Sequence, residues 1–169
     1  DHADITRVLI ALDCTKAVAE EAVEWGADLV LTHHPLFFHP VQHLLYSDPA
    51  TAAACVLVRN GIGLFSAHTN LDAAYGGVND TLCTLFGIRE AIPFDEGVGR
   101  VGTLKESETL EHFAKRAETI LHARVATSGA PGRMISRVAV MGGSGGGSVL
   151  LAAAQGADLL LTGEVKHSD

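Results

Sequence analysis

Gly26-Ala27-Asp28-Leu29-Val30-Leu31-Thr32-His33-His34-Pro35 decides how this chain reads. A glycine that stops a helix, a short apolar run and two adjacent imidazoles before a proline mark a buried strand whose carboxyl end carries chemistry. Working backward, Lys16 to Trp25 has helical apolar spacing and Arg7 to Leu12 is a short apolar run. The stretch therefore closes a β-α-β unit with parallel strands and a right-handed crossover. Working forward, the alanine-rich residues 50–60 read as a second helix stopped by Gly61, and Gly63-Leu64-Phe65-Ser66 as a strand that delivers His68. Residues 79–86 and 108–121 read as further helices and Arg137 to Met141 as a strand, which makes the chain α/β.

The same stretch recurs. Shifting the sequence by 130 positions without a gap matches Arg7-Val8 to Arg137-Val138, Ala22 to Ala152, Gly26-Ala27-Asp28-Leu29 to Gly156-Ala157-Asp158-Leu159 and Leu31-Thr32 to Leu161-Thr162, nine identities in twenty-eight positions. Glycine after a helix and leucine in a strand are cheap matches, but an uninterrupted Gly-Ala-Asp-Leu is not. Two equivalent halves, about residues 1–90 and 100–169 of one domain, are expected, with Gly163-Glu164 in the position of His33-His34.

Composition narrows the function classes. The 169 residues, 47% of them apolar, suffice for one solid core. Acidic residues number 20 and basic ones 12, so no positive excess exists to neutralise a phosphate backbone, and nucleic acid is not an expected partner. Cys14, Cys55 and Cys83 are widely spaced among apolar neighbours and lack a CxxC partner, which reads as buried thiols in a reducing compartment. No signal-peptide pattern and no apolar run of about 20 residues occurs, so a cytoplasmic protein that does not cross the membrane is expected. The sequence begins at Asp1 and ends at Asp169, and reads as an excerpt.

Imidazole nitrogen and carboxylate oxygen suit zinc, manganese or iron, and a loop at a strand's carboxyl end can aim them at one point. His33 and His34, read with the stretch from His68 to Asp72, are the metal-ligand candidates on that ground, while Asn70-Leu71-Asp72 on its own could be a helix cap. The isolated His2, His43, His112 and His122 read as solvated or hydrogen-bonded side chains, with His39 only slightly more interesting. The run Gly142 to Ser148 follows a strand and precedes a helix beginning near Val149. Gly143, Ser144 and Gly145 are candidates for a phosphate cradle, against the plainer reading of a tight strand-to-helix connection. The run fails the dinucleotide fingerprint at Ser148, which counts against a Rossmann module. Glu164 and His167, three residues apart, could share a helical turn and tune each other's protonation, either as a base and its partner or as residues that orient a ligand.

Leu-Thr-His-His-Pro-Leu at 31–36, Ser-Ala-His-Thr-Asn-Leu-Asp at 66–72, Gly-Val-Gly-Arg-Val-Gly at 97–102, Val-Ala-Val-Met-Gly-Gly-Ser-Gly at 138–145 and Leu-Thr-Gly-Glu-Val-Lys-His at 161–167 together resemble the Nif-three-like family, also known as GTP cyclohydrolase I type 2 homologues. The resemblance spans nearly the whole chain with the motifs in the family's order. It implies an α/β fold of two intertwined repeats with mixed sheets, a centre of two divalent metal ions (zinc, iron or manganese) and a ring-shaped homohexamer. By matching motifs, His33 and His34 each hold one metal, Asp72 supplies the carboxylate and His68 is a near neighbour. The resemblance also implies a further His and Glu, in a Gly-His-x-x-x-Glu type segment past the Thr-Gly-Glu motif, and an upstream Trp-Asp-Asn type motif; neither segment is in this sequence.

Two functions are then expected to compete. One is a metal-dependent hydrolase of a nucleotide or phosphorylated small molecule, resembling a GTP cyclohydrolase, with Glu164, His167 and His68 as its acid-base candidates. The other is a metal-stabilised oligomeric scaffold with protein partners, in which a closed ligand shell only fixes the fold.

Overall fold

The structure is a computed structural model that describes residues 4–168; His2 lies outside them. Two compact units divide between His68 and Thr69.

The first unit is a three-stranded parallel sheet in the order β1 (Val8–Ala11), β2 (Leu29–Thr32), β3 (Gly63–Ser66), with helices α1 (Lys16–Trp25) and α2 (Ala52–Asn60) in the connections. Thr15 opens α1 by accepting the Val18 N–H on its hydroxyl at 3.2 Å, and Gly26 closes it at φ 73°, a conformation glycine adopts without a Cβ penalty. Ala19 and Ala22, one helical turn apart, bury their small side chains in a cluster with Val30 of the central strand and Ala53, Val56 and Leu57 of α2. Fully burying a side chain such as Val30 contributes roughly 1.5–3 kcal/mol. The alternate positions behave differently, with Ile10 of β1 75% exposed and Phe65 of β3 53% exposed. Parallel sheets are usually covered on both faces, so these apolar side chains are conspicuous.

The second unit contains α3 (Thr69–Ala73), α4 (Val78–Leu85), the sheet β4 (Ile88–Phe94), β5 (Gly99–Thr109), β6 (Met134–Ser144), β7 (Leu159–Glu164), and helices α5 (Leu110–Leu121) and α6 (Val149–Ala154). β4 to β6 pair antiparallel and only β6 and β7 are parallel. Phe86 stacks on Phe113 with ring centroids 5.4 Å apart, in a core shared by Cys83, Leu104, Ile135 and Val138. Strands β4 and β5 carry no periodicity that marks them in the sequence. β4 is an edge strand that carries Pro93 and a register shift after Arg89, where the rules of an alternating strand relax. The helix expected over 108–121 begins at Leu110, because Glu108 and Thr109 finish β5 and the Thr109 hydroxyl accepts the His112 N–H as the cap.

The internal repeat holds at the level of individual hydrogen bonds. In the first unit Val8 pairs with Leu29 and Ala11 with Thr32; in the second Val138 pairs with Leu159 and Met141 with Thr162. The Asp28 carboxylate accepts the Thr6 and Arg7 N–H groups, both at 2.8 Å, and the Asp158 carboxylate accepts those of Ser136 and Arg137 at 3.0 and 2.9 Å. Gly26 and Gly156 take φ of 73° and 75°. The Gly-Ala-Asp-Leu tetrapeptide is thus a device: glycine ends the helix, aspartate staples the start of the neighbouring strand, and leucine begins the next.

Candidate functional site

The carboxyl ends of β1, β2 and β3 lie side by side, and each is followed within two residues by a polar group: Asp13, His33-His34 and His68. Ligands of open α/β sheets gather at such ends. The turn after β2 is held by Thr32, which is buried and donates its hydroxyl proton to the His34 carbonyl at 2.8 Å. A hydroxyl has one proton, so in the 2.9 Å contact between Thr32 Oγ1 and Ser66 Oγ the serine is the donor. The backbone ties the same ends together, His34 N–H donating to Leu12 O at 3.0 Å and Ala67 N–H to Thr32 O at 2.8 Å.

On this frame the two imidazoles are fixed by their Nδ1 atoms. His33 Nδ1 lies 2.8 Å from the Ala67 carbonyl and His34 Nδ1 lies 2.7 Å from Asp13 Oδ1. Both partners only accept, so each Nδ1 carries the proton, and in the neutral ring Nε2 carries the lone pair. This is the donor chemistry of metal-ligating histidine, whose other nitrogen commonly donates to a carbonyl or carboxylate. His68 completes the cluster, its ring 5.1 Å from His33 and 6.0 Å from His34 between centroids. The two paired rings are 5.2 Å apart, and Phe38, 72% exposed, sets its ring edgewise to His68 at 5.7 Å.

The remaining sequence candidates lie in the second unit. Asp72 is in the first turn of α3, inside the helix rather than at its cap. Glu164 is the last residue of β7 and His167 lies in an exposed turn beyond it, so the expected shared helical turn is not formed; strand pairing of Glu164 with Ser144 extends the chain there. Gly143 takes φ 67° where the pairing of β6 with β7 is interrupted, between Met141 and Ser144. Gly145 donates its N–H to Thr162 Oγ1 at 2.9 Å and to Glu164 O at 3.2 Å, which uses that amide within the loop. Among the described residues no group of three or more His, Cys, Asp or Glu side chains is gathered closely enough to hold a metal ion.

The other histidines have ordinary surroundings. His112 bonds the Glu108 carboxylate, His43 approaches Asp48 at 3.9 Å, and His122 caps α5 in the left-handed region. The three cysteines are free thiols; Cys14 and Cys83 are buried, and burial pushes the Cys83 thiol up to about 11. No helix among the described residues is long and apolar enough to cross a membrane.

Sequence reasoning missed Asp13, whose signal was its place as the first acid past the apolar run of β1. It also missed Asn79 and Arg100, both buried. The Arg100 guanidinium donates to the Asp80 carboxylate at 2.5 Å and to the carbonyls of Ala73 and Gly97, both at 2.8 Å. The Gly76 N–H, with the Arg100 guanidinium, holds the Asp80 carboxyl below the usual carboxylate range against the opposing effect of burial.

Fold and site together define an α/β protein with mixed sheets and a paired-histidine site at the carboxyl ends of a parallel sheet. The chain belongs to the Duf34/NIF3 (NGG1p interacting factor 3) family, whose pattern matches residues 1–169. A Clostridium perfringens protein named GTP cyclohydrolase 1 type 2 homolog is 38% identical over 174 residues, covering 97% of this chain and 66% of that protein. A Streptococcus pneumoniae protein of the same name is 33% identical, covering 96% of this chain and 65% of its own length. In three dimensions the chain is similar to the Staphylococcus aureus hypothetical protein SA1388, with a TM-score of 0.85 at 28% identity over 98% of this chain and 69% of that one. The chain thus spans 66% and 65% of the two curated relatives.

Proposed function

We propose that this protein is a divalent-metal-dependent hydrolase of a nucleotide or phosphorylated small molecule, with His33 and His34 as metal ligands through Nε2. The observation that carries the reading is the commitment of both Nδ1 atoms, to Ala67 O and Asp13 Oδ1. Family resemblance adds Asp72, four residues along the chain from His68, as the carboxylate ligand. Bound zinc, iron or manganese would supply positive charge that polarises a substrate oxygen and acidifies water. The chain's own residues do the rest. Asp13 and the Ala67 carbonyl hold the imidazoles in one tautomer and orientation, and His68, beside both rings, is placed to take or give a proton. Phe38 sets its ring edge against His68. The relatives' name, GTP cyclohydrolase 1 type 2 homolog, directs the first assays to guanine nucleotides.

The competing reading is a metal-stabilised, self-associating scaffold, and the exposed Ile10 and Phe65 on one sheet face favour it. Turnover of GTP, other nucleotides and simple phosphoesters, measured with each metal in the wild type, His33→Ala and His34→Ala, separates them. Metal-dependent product that disappears in both variants, with oligomeric state unchanged, supports the hydrolase. Stoichiometric metal binding without turnover of any of these compounds overturns it in favour of the scaffold.

A further inference from the structure

Asn79 has no exposed surface, and its carboxamide joins three separate segments of the second unit. Nδ2 donates to the Asp72 carbonyl at 3.3 Å and to the Val98 carbonyl at 2.9 Å, and Oδ1 accepts the Gly142 N–H at 2.8 Å. Asp72 is the acid of the Thr-Asn-Leu-Asp motif, and Gly142 opens the glycine-rich run. One buried side chain, sixty-three residues away from Gly142 in sequence, therefore links two of the motifs that the fold leaves in this unit.

The geometry points to Asn79 as a positioning residue that fixes the Asp72 helix and the glycine-rich loop to each other. The role is specific to a carboxamide. It must donate to carbonyls on one side and accept an amide on the other, and aspartate, serine or leucine cannot do both with this reach. α3 has only five residues, too few to hold its shape alone, so its placement depends on such ties. Arg100 reinforces the same helix at its carboxyl end, donating to the Ala73 carbonyl at 2.8 Å and the Ala74 carbonyl at 3.4 Å. Gly142 is packed against the anchor, a Cβ there lying 3.4 Å from Asn79 Oδ1 and from Val78 Cγ1. A shift of α3 is thereby transmitted to the start of the loop.

This inference rests on the metal-site reading for Asp72, and its test has an arm that does not. Hydrogen exchange on Asn79→Ala and on Phe113→Leu, a core substitution in α5 away from the network, compares local with general loosening. In Asn79→Ala the amides of residues 69–73 and 142–145 should exchange about tenfold faster than in Phe113→Leu at matched melting temperature, because two carbonyls and one amide lose their buried partner. Equal exchange in the two variants overturns the coupling. In zinc titrations Asn79→Ala should bind about tenfold or more weakly than the wild type, and Asn79→Asp, which keeps only the acceptor to Gly142, should also bind weakly. Wild-type zinc affinity in a loosened Asn79→Ala protein overturns the positioning role. A wild-type protein that takes up no zinc instead removes the metal-site reading, while the exchange comparison still decides the coupling. If Asn79→Ala does not fold, exchange in Asn79→Asp decides in its place: loosening confined to 69–73 and the Val98 side supports the separate ties, and no change there overturns them.

Discussion

Asp13 and His34 each stand two residues beyond a register pair, Ala11 with Thr32, on adjacent parallel strands, and the carboxylate meets the imidazole Nδ1 at 2.7 Å. Both residues sit in the bends that follow the paired strands, so two neighbouring parallel strands that stop at the same level bring their following bends together. The contact depends on where the strands stop: slipping β1 by one residue against β2 would carry Asp13 along the strand axis and away from His34.

The Asp13 contact orients rather than stabilises. The carboxylate is 55% exposed and the imidazole 42%, so this solvent-facing hydrogen bond adds little to folding. Asp13→Ala is expected to leave stability within about 0.5 kcal/mol of wild type, and to weaken zinc binding about 10–100-fold. Calorimetric titration and thermal denaturation on the same preparation check both halves. Unaltered zinc affinity would show that His34 needs no orienting acid.

Thr32 should behave in the opposite way. Its buried hydroxyl donates to His34 O and accepts from Ser66. Thr32→Val preserves the shape, and leaves a carbonyl and a hydroxyl without their partner at a cost of about 1–3 kcal/mol. Urea unfolding measures this directly. A Thr32→Val protein as stable as wild type would mean that the knot between β2 and β3 contributes nothing.

The legibility of this chain follows from where its elements lie. β1, α1 and β2 were readable because a parallel strand is a run of apolar residues, even in β1 where alternate side chains stay exposed, and because Gly26 marks the helix end in the sequence itself. The repeat was readable for the same reason, since Gly-Ala-Asp-Leu performs one structural task twice. β4 and β5 were not: a strand with Glu90, Pro93 and a register shift carries no alternation to find. Of the site, His33 and His34 announced themselves as neighbours in sequence. Asp13 could be found only once β1 and β2 were known to be adjacent, and Asn79 looked like any polar residue near a helix start. Contacts such as Asn79 with Gly142 depend on packing that no local pattern encodes.

The two staples of the repeat predict a shared response to acid. The Thr6 and Arg7 N–H groups hold the Asp28 carboxyl below its ordinary value; the Arg137 N–H, followed by that of Ser136, does so for Asp158 against partial burial. A depressed folded-state pKa means that the stabilisation is fully present above the unfolded value of about 3.9 and is lost as pH falls through the folded pKa. Asp28→Asn and Asp158→Asn should therefore destabilise the protein at pH 7 and differ progressively less from wild type as pH drops below 4. Denaturant midpoints across that range test the sign. A gap from wild type that widens on acidification would mean that these carboxylates stabilise mainly as neutral donors.

The glycine-rich run separates two structural reasons for glycine and one position with neither. At Gly145 a Cβ would lie 2.6 Å from both Met141 Cγ and Thr162 Oγ1, so Gly145→Ala must displace the neighbours that hold β6 against β7, with a cost of about 1–3 kcal/mol. At Gly143 a Cβ meets nothing within 4 Å, but φ is 67°, and Gly143→Ala should cost about 1–2 kcal/mol through the backbone alone. Gly147 has neither restriction, and Gly147→Ala is expected to fall within about 0.5 kcal/mol of wild type. The order of unfolding midpoints checks the packing account. Phosphate binding measured on the same three proteins then tests the cradle. Loss of binding in Gly147→Ala without loss of stability would assign the run a ligand as well as a packing role, whereas binding that tracks stability, or is absent throughout, leaves the glycines to the close approach of β6, β7 and their connection.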